Sequence, residues 1–182
     1  MDKFPINTKE FRKLMMLTVF FAALGALFYF VHVGQLAWTI LIVSALVWFV
    51  IEAQNDRKRL SRALEVGVFL FLFDFAFENS GWLLGLWHTV SAYAIGVVPL
   101  EVIGICFFGG TAWALYLPKK FNLWHSAIDC LVFALFGSLG EWLLIHQGLF
   151  YYNLWWSTPL AFLAYLGTWI ILHFVKYRIV KV

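Results

Sequence analysis

The chain has 182 residues, of which 63% are hydrophobic, 20% aromatic and only 13% charged, with a formal charge of +3. A soluble domain is nearer half apolar and a quarter charged, so this composition excludes an ordinary soluble fold and fits a polytopic membrane protein. The mean hydropathy of +0.85 agrees with that class.

Six stretches are long enough for the ~20 apolar residues a bilayer requires. In chain order they are Leu14–Val33, Leu36–Ala53, Leu64–Trp87, Tyr93–Leu117, Leu123–Phe150 and Leu154–Phe174. The expected fold class is therefore all-α: a polytopic membrane helical bundle of about six transmembrane helices, forming one integral membrane domain over residues 1–182. The first stretch follows Lys9, Arg12 and Lys13 and so resembles a signal peptide. No small-residue cleavage site follows it, because His32-Val33-Gly34-Gln35 runs straight into the next apolar stretch. All 13 Lys and Arg fall in the N-terminal tail, in Arg57–Arg62, at Lys119–Lys120 or in the tail from Lys176. In a chain of six spans these places share one side, and the positive-inside rule puts both termini in the cytoplasm. The basic clusters thus read as a topology signal, and no nucleic-acid partner is expected. Cys106 and Cys130 both fall within spans and read as small apolar residues, with no disulfide framework.

Five carboxylates interrupt the apolar stretches: Asp74, Glu78, Glu101, Asp129 and Glu141. A carboxylate in hydrocarbon is costly, so it faces a bundle interior or a wet cavity and has a task. Burial disfavours the charged form, so such a group can hold a proton at neutral pH and donate it. Glu78 lies nine residues before Trp87, Glu141 nine before Phe150, and Glu101 eight after Tyr93. At 1.5 Å per residue all three are expected roughly 12–14 Å below the same surface. Asp74 shares the Glu78 face one turn deeper, while Asp129 is expected nearer the cytoplasmic side and outside the cluster.

A repeat is visible around these acids. Glu78 is followed by Gly85-Leu86-Trp87 and Glu141 by Gly148-Leu149-Phe150 at the same spacing, and Pro99-Leu100 is echoed by Pro159-Leu160. Spans three and four therefore resemble spans five and six as a parallel repeat of hairpins, and repeat proteins tend to place their site at the repeat interface. Pro99 is expected to kink its span and open a pocket beside Glu101. His88 and His146, near the outer span ends, read as capping residues or as proton relays. No HExxH, CxxC, GxGxxG or GxxxxGK[ST] occurs, so neither a metal nor a cofactor is expected. Aromatic side chains crowd the acids. Trp82, Trp87, Phe108 and Trp142, together with Asn79, are the expected substrate-binding set, because aromatic faces stabilise a carbocation. An acid beside an aromatic wall suits addition of a proton to a polyene.

These residues carry a resemblance. Glu78-Asn79, Gly85-Leu86-Trp87, Gly96-Val97-Val98-Pro99-Leu100-Glu101 and Phe107-Phe108 together resemble the domain of the membrane-integral lycopene cyclases, of the heterodimeric or fused type. The carotenoid hydratase family is similar in the same places. The likeness covers Asp74–Leu117, and more weakly the hairpin with Glu141, Gly148, Phe150 and Pro159. The chain departs from the family pattern in having Glu78 where Asp is usual, Val102 where a second Glu stands, and Ala161 after Pro159-Leu160. The resemblance implies a cofactor-free isomerase of carotenoid biosynthesis that adds a proton to a terminal alkene, closes a ring and removes a proton. It implies Glu101 as the acid by motif position, with Glu78, Glu141 and Asp74 as base or as stabilisers of the cation. A hydratase would let water capture the same cation. The implied partners are a lipophilic carotenoid or other polyisoprenoid, the lipid bilayer, and a second half-protein in a homo- or heterodimer. A proton-coupled transporter and a non-catalytic membrane subunit are the competing readings of the same midplane acids.

Overall fold

A computed structural model describes residues 8–182, with side chains described from Glu10 onward. The fold is mostly helical. Helix α1 spans Thr8–Phe30, α2 Leu36–Asn55, α3 Leu60–Leu83, α4 Leu100–Tyr116, α5 Leu123–His146 and α6 Thr158–Phe174. A 3-10 turn at Arg57–Arg59 precedes α3, and a π-helical turn at Val175–Val180 prolongs α6.

Among the described residues, four helical stretches are long and apolar enough to cross a membrane: α1, α2, α5, and α6 with its extension. Helix α3 is 24 residues long but carries Arg62, Glu65, Asp74 and Glu78. Helix α4 has only 17 residues. The expected fourth span, Tyr93–Leu117, begins outside the helix, because β2 (Ala94–Ile95) and β3 (Val98–Pro99) form a small antiparallel hairpin. Gly96 turns that hairpin at φ +64, a conformation other residues rarely adopt. Pro99 then stands at the N-cap of α4 with ψ 138, so it starts the helix and does not kink it.

The expected third and fifth spans are also shorter than their apolar runs, for one shared reason. Gly85 and Gly148 take φ +69 and +72, which ends each helix in a left-handed cap. In both caps the residue after the glycine reaches back one turn: Leu86 N–H donates to Gly81 O, and Leu149 N–H to Leu144 O, each at 2.9 Å. The chain then leaves each helix as a short strand, β1 (Trp87–Thr89) or β4 (Phe150–Tyr152). These strands pair antiparallel, with His88 opposite Tyr151 at the centre. Flanking bonds from Val90 N–H to Leu149 O (2.8 Å) and from Asn153 N–H to Leu86 O (2.7 Å) close the ribbon at both ends. The two ribbon ends are thus near-equivalent, as an internal two-fold relation would make them.

Helix α3 packs along α4, α2 along α4, α5 along α6, and α1 along α5. Close approach of α3 and α4 depends on Gly67, where a Cβ would fall 2.5 Å from the Phe107 carbonyl oxygen. One apolar core gathers Val66, Trp113, Leu115, Phe133 and Leu172. A second, at the ribbon end, gathers Phe28, Trp38, Trp87, Leu149 and Phe150. Basic side chains tie the opposite end together. Lys13 meets Glu52 at 3.0 Å, Arg59 meets Asp56 at 2.8 Å, Arg62 donates to Lys181 O at 3.0 Å, and Lys176 donates to Pro118 O at 2.7 Å. At the ribbon end, the Gln147 side chain accepts from Val33 and Gly34 N–H and donates to Phe28 and Val31 O, which fixes the α1–α2 turn.

Candidate functional site

Asp74 and Glu78 lie four residues apart on α3 and therefore share a face. Glu141 faces them from α5, and the three carboxyl groups are close enough to interact electrostatically. Each glutamate is held by a donor from the ribbon. Trp87 Nε1–H donates to Glu78 Oε2 at 2.9 Å, and Tyr152 O–H donates to Glu141 Oε2 at 2.7 Å. The glycine caps make these bonds possible, because they fold β1 and β4 back over the helices that carry the acids.

Two further groups complete the cluster. The Cys106 thiol of α4 meets Asp74, and the Tyr165 hydroxyl of α6 meets Glu141. Side chains from α3, α4, α5 and α6 thus converge on one spot. The surroundings of the two glutamates differ one turn before each. Glu78 has Asp74 one turn before it, whereas Glu141 has Gly137, whose missing side chain leaves room for the Tyr165 ring at 2.7 Å from an added Cβ. Gly81 plays a similar part for Trp87, whose indole lies directly on it.

An aromatic wall stands beside the acids. Trp87 and Trp156 have ring centroids 4.5 Å apart, Trp87 and Phe77 5.2 Å, and Phe77 and Phe73 6.4 Å. Trp87 is buried, but Asp74, Glu78, Glu141, Phe77 and Trp156 are only half-buried. Carboxyl groups that share a site share protons and do not all ionise. With a phenol and a thiol nearby, the arrangement can donate a proton from one group and accept one at another.

The other expected site residues divide into two sets. Glu101 sits in the first turn of α4 and accepts from Ser91 Oγ at 3.0 Å, at the rim and not at the depth of Glu78. The depth expectation fails there because β2 and β3 use up the residues that a helix would have carried inward. Beside Ser91 a half-open groove of about 290 Å³ is lined by Trp82, His88, Thr89, Gly96 and Pro99. Asn79 donates to Phe75 O at 2.7 Å, and its Oδ1 points towards Gly96, so it belongs with this groove. Phe108 packs on Phe49 and Phe107, on the α2 side of α4. Trp142 stacks with Tyr29 and His146 on the α1 side of α5. His88 stacks on Tyr151 at 4.8 Å within the ribbon. Asp129 lies apart from the cluster, bonded to Trp113 and His173.

Sequence reasoning misses Tyr165 and Cys106 as members of the site. Their only sequence signal is a hydroxyl and a thiol placed inside apolar runs. Among the described residues, no group of three His, Cys, Asp or Glu side chains is arranged to hold a metal ion. No protein-family model, no curated protein and no solved structure matches the chain.

Proposed function

We propose that this protein is an intramembrane acid–base catalyst acting on an unsaturated polyisoprenoid, similar in chemistry to the membrane-integral lycopene cyclases. One observation carries the reading: Glu78 and Glu141 come from two different helices, each oriented by an aromatic donor from the ribbon, with Asp74 one turn from Glu78 on α3 and the Phe77–Trp87–Trp156 wall alongside. An apolar substrate suits that wall. The half-burial of the acids suits entry from the side of the bundle.

In this reading six helices cross the bilayer, and α3–α4 and α5–α6 form a parallel repeat. The matched glycine caps and the symmetric ribbon support the repeat. The gathering of basic side chains at one end supports a cytoplasmic location for both termini. Helix α3 crosses with its carboxyls turned towards its neighbours. Helix α4 covers roughly 26 Å by itself, and the β2–β3 hairpin completes the passage to the outer surface.

The chemistry follows from the anchors. Asp74 has no ribbon donor fixing it and sits deepest, so it is the proton donor to the inner carbon of the terminal double bond, which leaves a tertiary cation at the chain end. The cation that forms lies against the faces of Trp87 and Trp156. The double bond six atoms along the chain attacks it and closes the ring. Glu78 or Glu141, as the carboxylate, removes a proton from a carbon next to the ring cation and leaves a ring alkene. Substrate and product are isomers, so no oxidant or reductant is consumed. Glu101, at the groove, orients the far part of the chain.

Pigment analysis in cells that accumulate lycopene tests this. The parent is expected to give cyclic carotenes, Asp74→Asn and Glu78→Gln to abolish them, and Glu101→Gln to retain at least part of the activity. Hydroxylated products would assign the chain to the hydratase type. Untouched lycopene at verified expression overturns carotene cyclisation by this chain.

A further inference from the structure

A second polar site lies at the other end of α5, twelve residues and so roughly 18 Å from Glu141. Asp129, which is fully buried, accepts through Oδ2 from both Trp113 Nε1–H (2.9 Å) and His173 Nε2 (3.0 Å). Around it the hydrogen-bonding capacity is left open. Asp129 Oδ1, His173 Nδ1, both ring nitrogens of His125, Ser126 Oγ, Tyr116 O–H and Trp169 Nε1 have no partner among the described residues. Tyr116, His125, Ser126, Asp129 and His173 are each at most 6% exposed.

Seven open atoms from three helices in one region are not a chance lapse of packing, because buried polar groups are almost always satisfied. The atoms are complementary in kind. A carboxylate oxygen only accepts, an indole only donates, and hydroxyls and imidazoles do either. Internal water satisfies such a set, at about three bonds each, so about two or three molecules suffice. The Asp129–His173 pair adds a further property. With Oδ2 holding the Nε2 edge of the ring, Nδ1 is left facing the open atoms, and it changes from acceptor to donor when the ring takes up a proton.

We propose that Asp129, His173 and His125 form a hydrated polar site, separate from the acid cluster, in which water bridges the two imidazoles and the Tyr116 and Ser126 hydroxyls. Neighbouring elements supply the charged and titratable groups that set its field: Glu10 on α1, Glu52 on α2, Arg59 before α3, Cys130 on α5, and Lys176 with Tyr177 after α6. Lys176 is fully buried and donates to Pro118 O.

The test uses the full chain with ¹⁵N-labelled histidine, in lipid nanodiscs. Water-edited NMR is expected to show transfer from water to the His125 and His173 imidazoles. Absence of water transfer at both rings overturns the proposal. Thermal melting of Tyr116→Phe and Ser126→Ala tests the same point independently. In a hydrated nest each hydroxyl holds a water, so its loss lowers the melting temperature. In a dry nest the hydroxyls are unsatisfied, and an unchanged or higher melting temperature sinks the idea.

Discussion

Replacing Trp87 with Phe tests whether the ribbon holds the acid cluster in place. The Trp87 indole is buried and donates to Glu78 Oε2 at 2.9 Å. A hydrogen bond of this kind contributes ~1 kcal/mol net. The smaller ring also weakens contacts with Trp156, at 4.5 Å between centroids, and Phe77, at 5.2 Å. Aromatic pairs contribute ~0.5–1.5 kcal/mol each beyond their buried area, and part of that survives in Phe. The expected loss is about 2 kcal/mol, or roughly 4–8 °C in melting temperature for a chain of this length. The decisive assay is a double-mutant cycle with Glu78→Met, read by thermal unfolding in detergent micelles. Coupling of ~1 kcal/mol is expected, because either single change already removes the bond. If the two changes add within ~0.5 kcal/mol, the indole is packing material and does not orient the glutamate. The Tyr152→Phe and Glu141→Met cycle should give a similar coupling, since Tyr152 donates to Glu141 at 2.7 Å.

Two glycine substitutions should have opposite signs. Gly67→Ala forces a Cβ against the Phe107 carbonyl and is expected to cost ~1–3 kcal/mol, whereas at Gly109 nothing lies within 4 Å of an added Cβ. Gly109→Ala should therefore stabilise α4 by ~0.5–1 kcal/mol in the same melting assay. Gln147→Leu removes the side chain that bonds four backbone groups of the α1–α2 turn. Amide exchange at Val33 and Gly34 should then speed up by an order of magnitude or more, at ~1–3 kcal/mol per group left unpaired, and unchanged exchange would show that the turn holds itself. At Asp56, outside the spans, burial pushes the carboxyl up, but the hydrogen bond and charge of Arg59 and the charge of Lys119 outweigh it and hold it below its ordinary value of 3.8. A depressed value means the pair stabilises the fold above that pH and loses its effect as pH falls through the folded value. Asp56→Asn should accordingly be less stable at pH 6, by under ~1 kcal/mol for a partly exposed pair, with the gap closing on acidification. A gap that does not change with pH would refute this.

The membrane class is legible in the chain because hydropathy sums over neighbouring residues and needs no partner. Hydropathy alone places α2 within about two residues of its ends and finds α1 and α5 with one or both ends displaced by several residues, and spacing alone puts Asp74 and Glu78 on one face. The likeness between Gly85-Leu86-Trp87 and Gly148-Leu149-Phe150 is also visible, and both glycines are helix caps. What misleads is the continuity of apolar residues across those caps. Tyr93–Pro99 is as apolar as a helix, but Gly96 and Pro99 make it a hairpin, which leaves Glu101 at the rim.

The sequence by itself determined which segments avoid water and where the basic residues collect, since each of these depends on a residue and its near neighbours. Only the tertiary structure decided which polar groups meet. Trp87 reaches Glu78 and Tyr152 reaches Glu141 because β1 pairs with β4, strands that lie far apart in the chain. Tyr165 enters because Gly137 leaves it space, and Asp129 finds Trp113 and His173 because α4, α5 and α6 converge there. In an apolar interior a polar group must take its partner from whichever face is packed against it, and that choice belongs to the packing of helices.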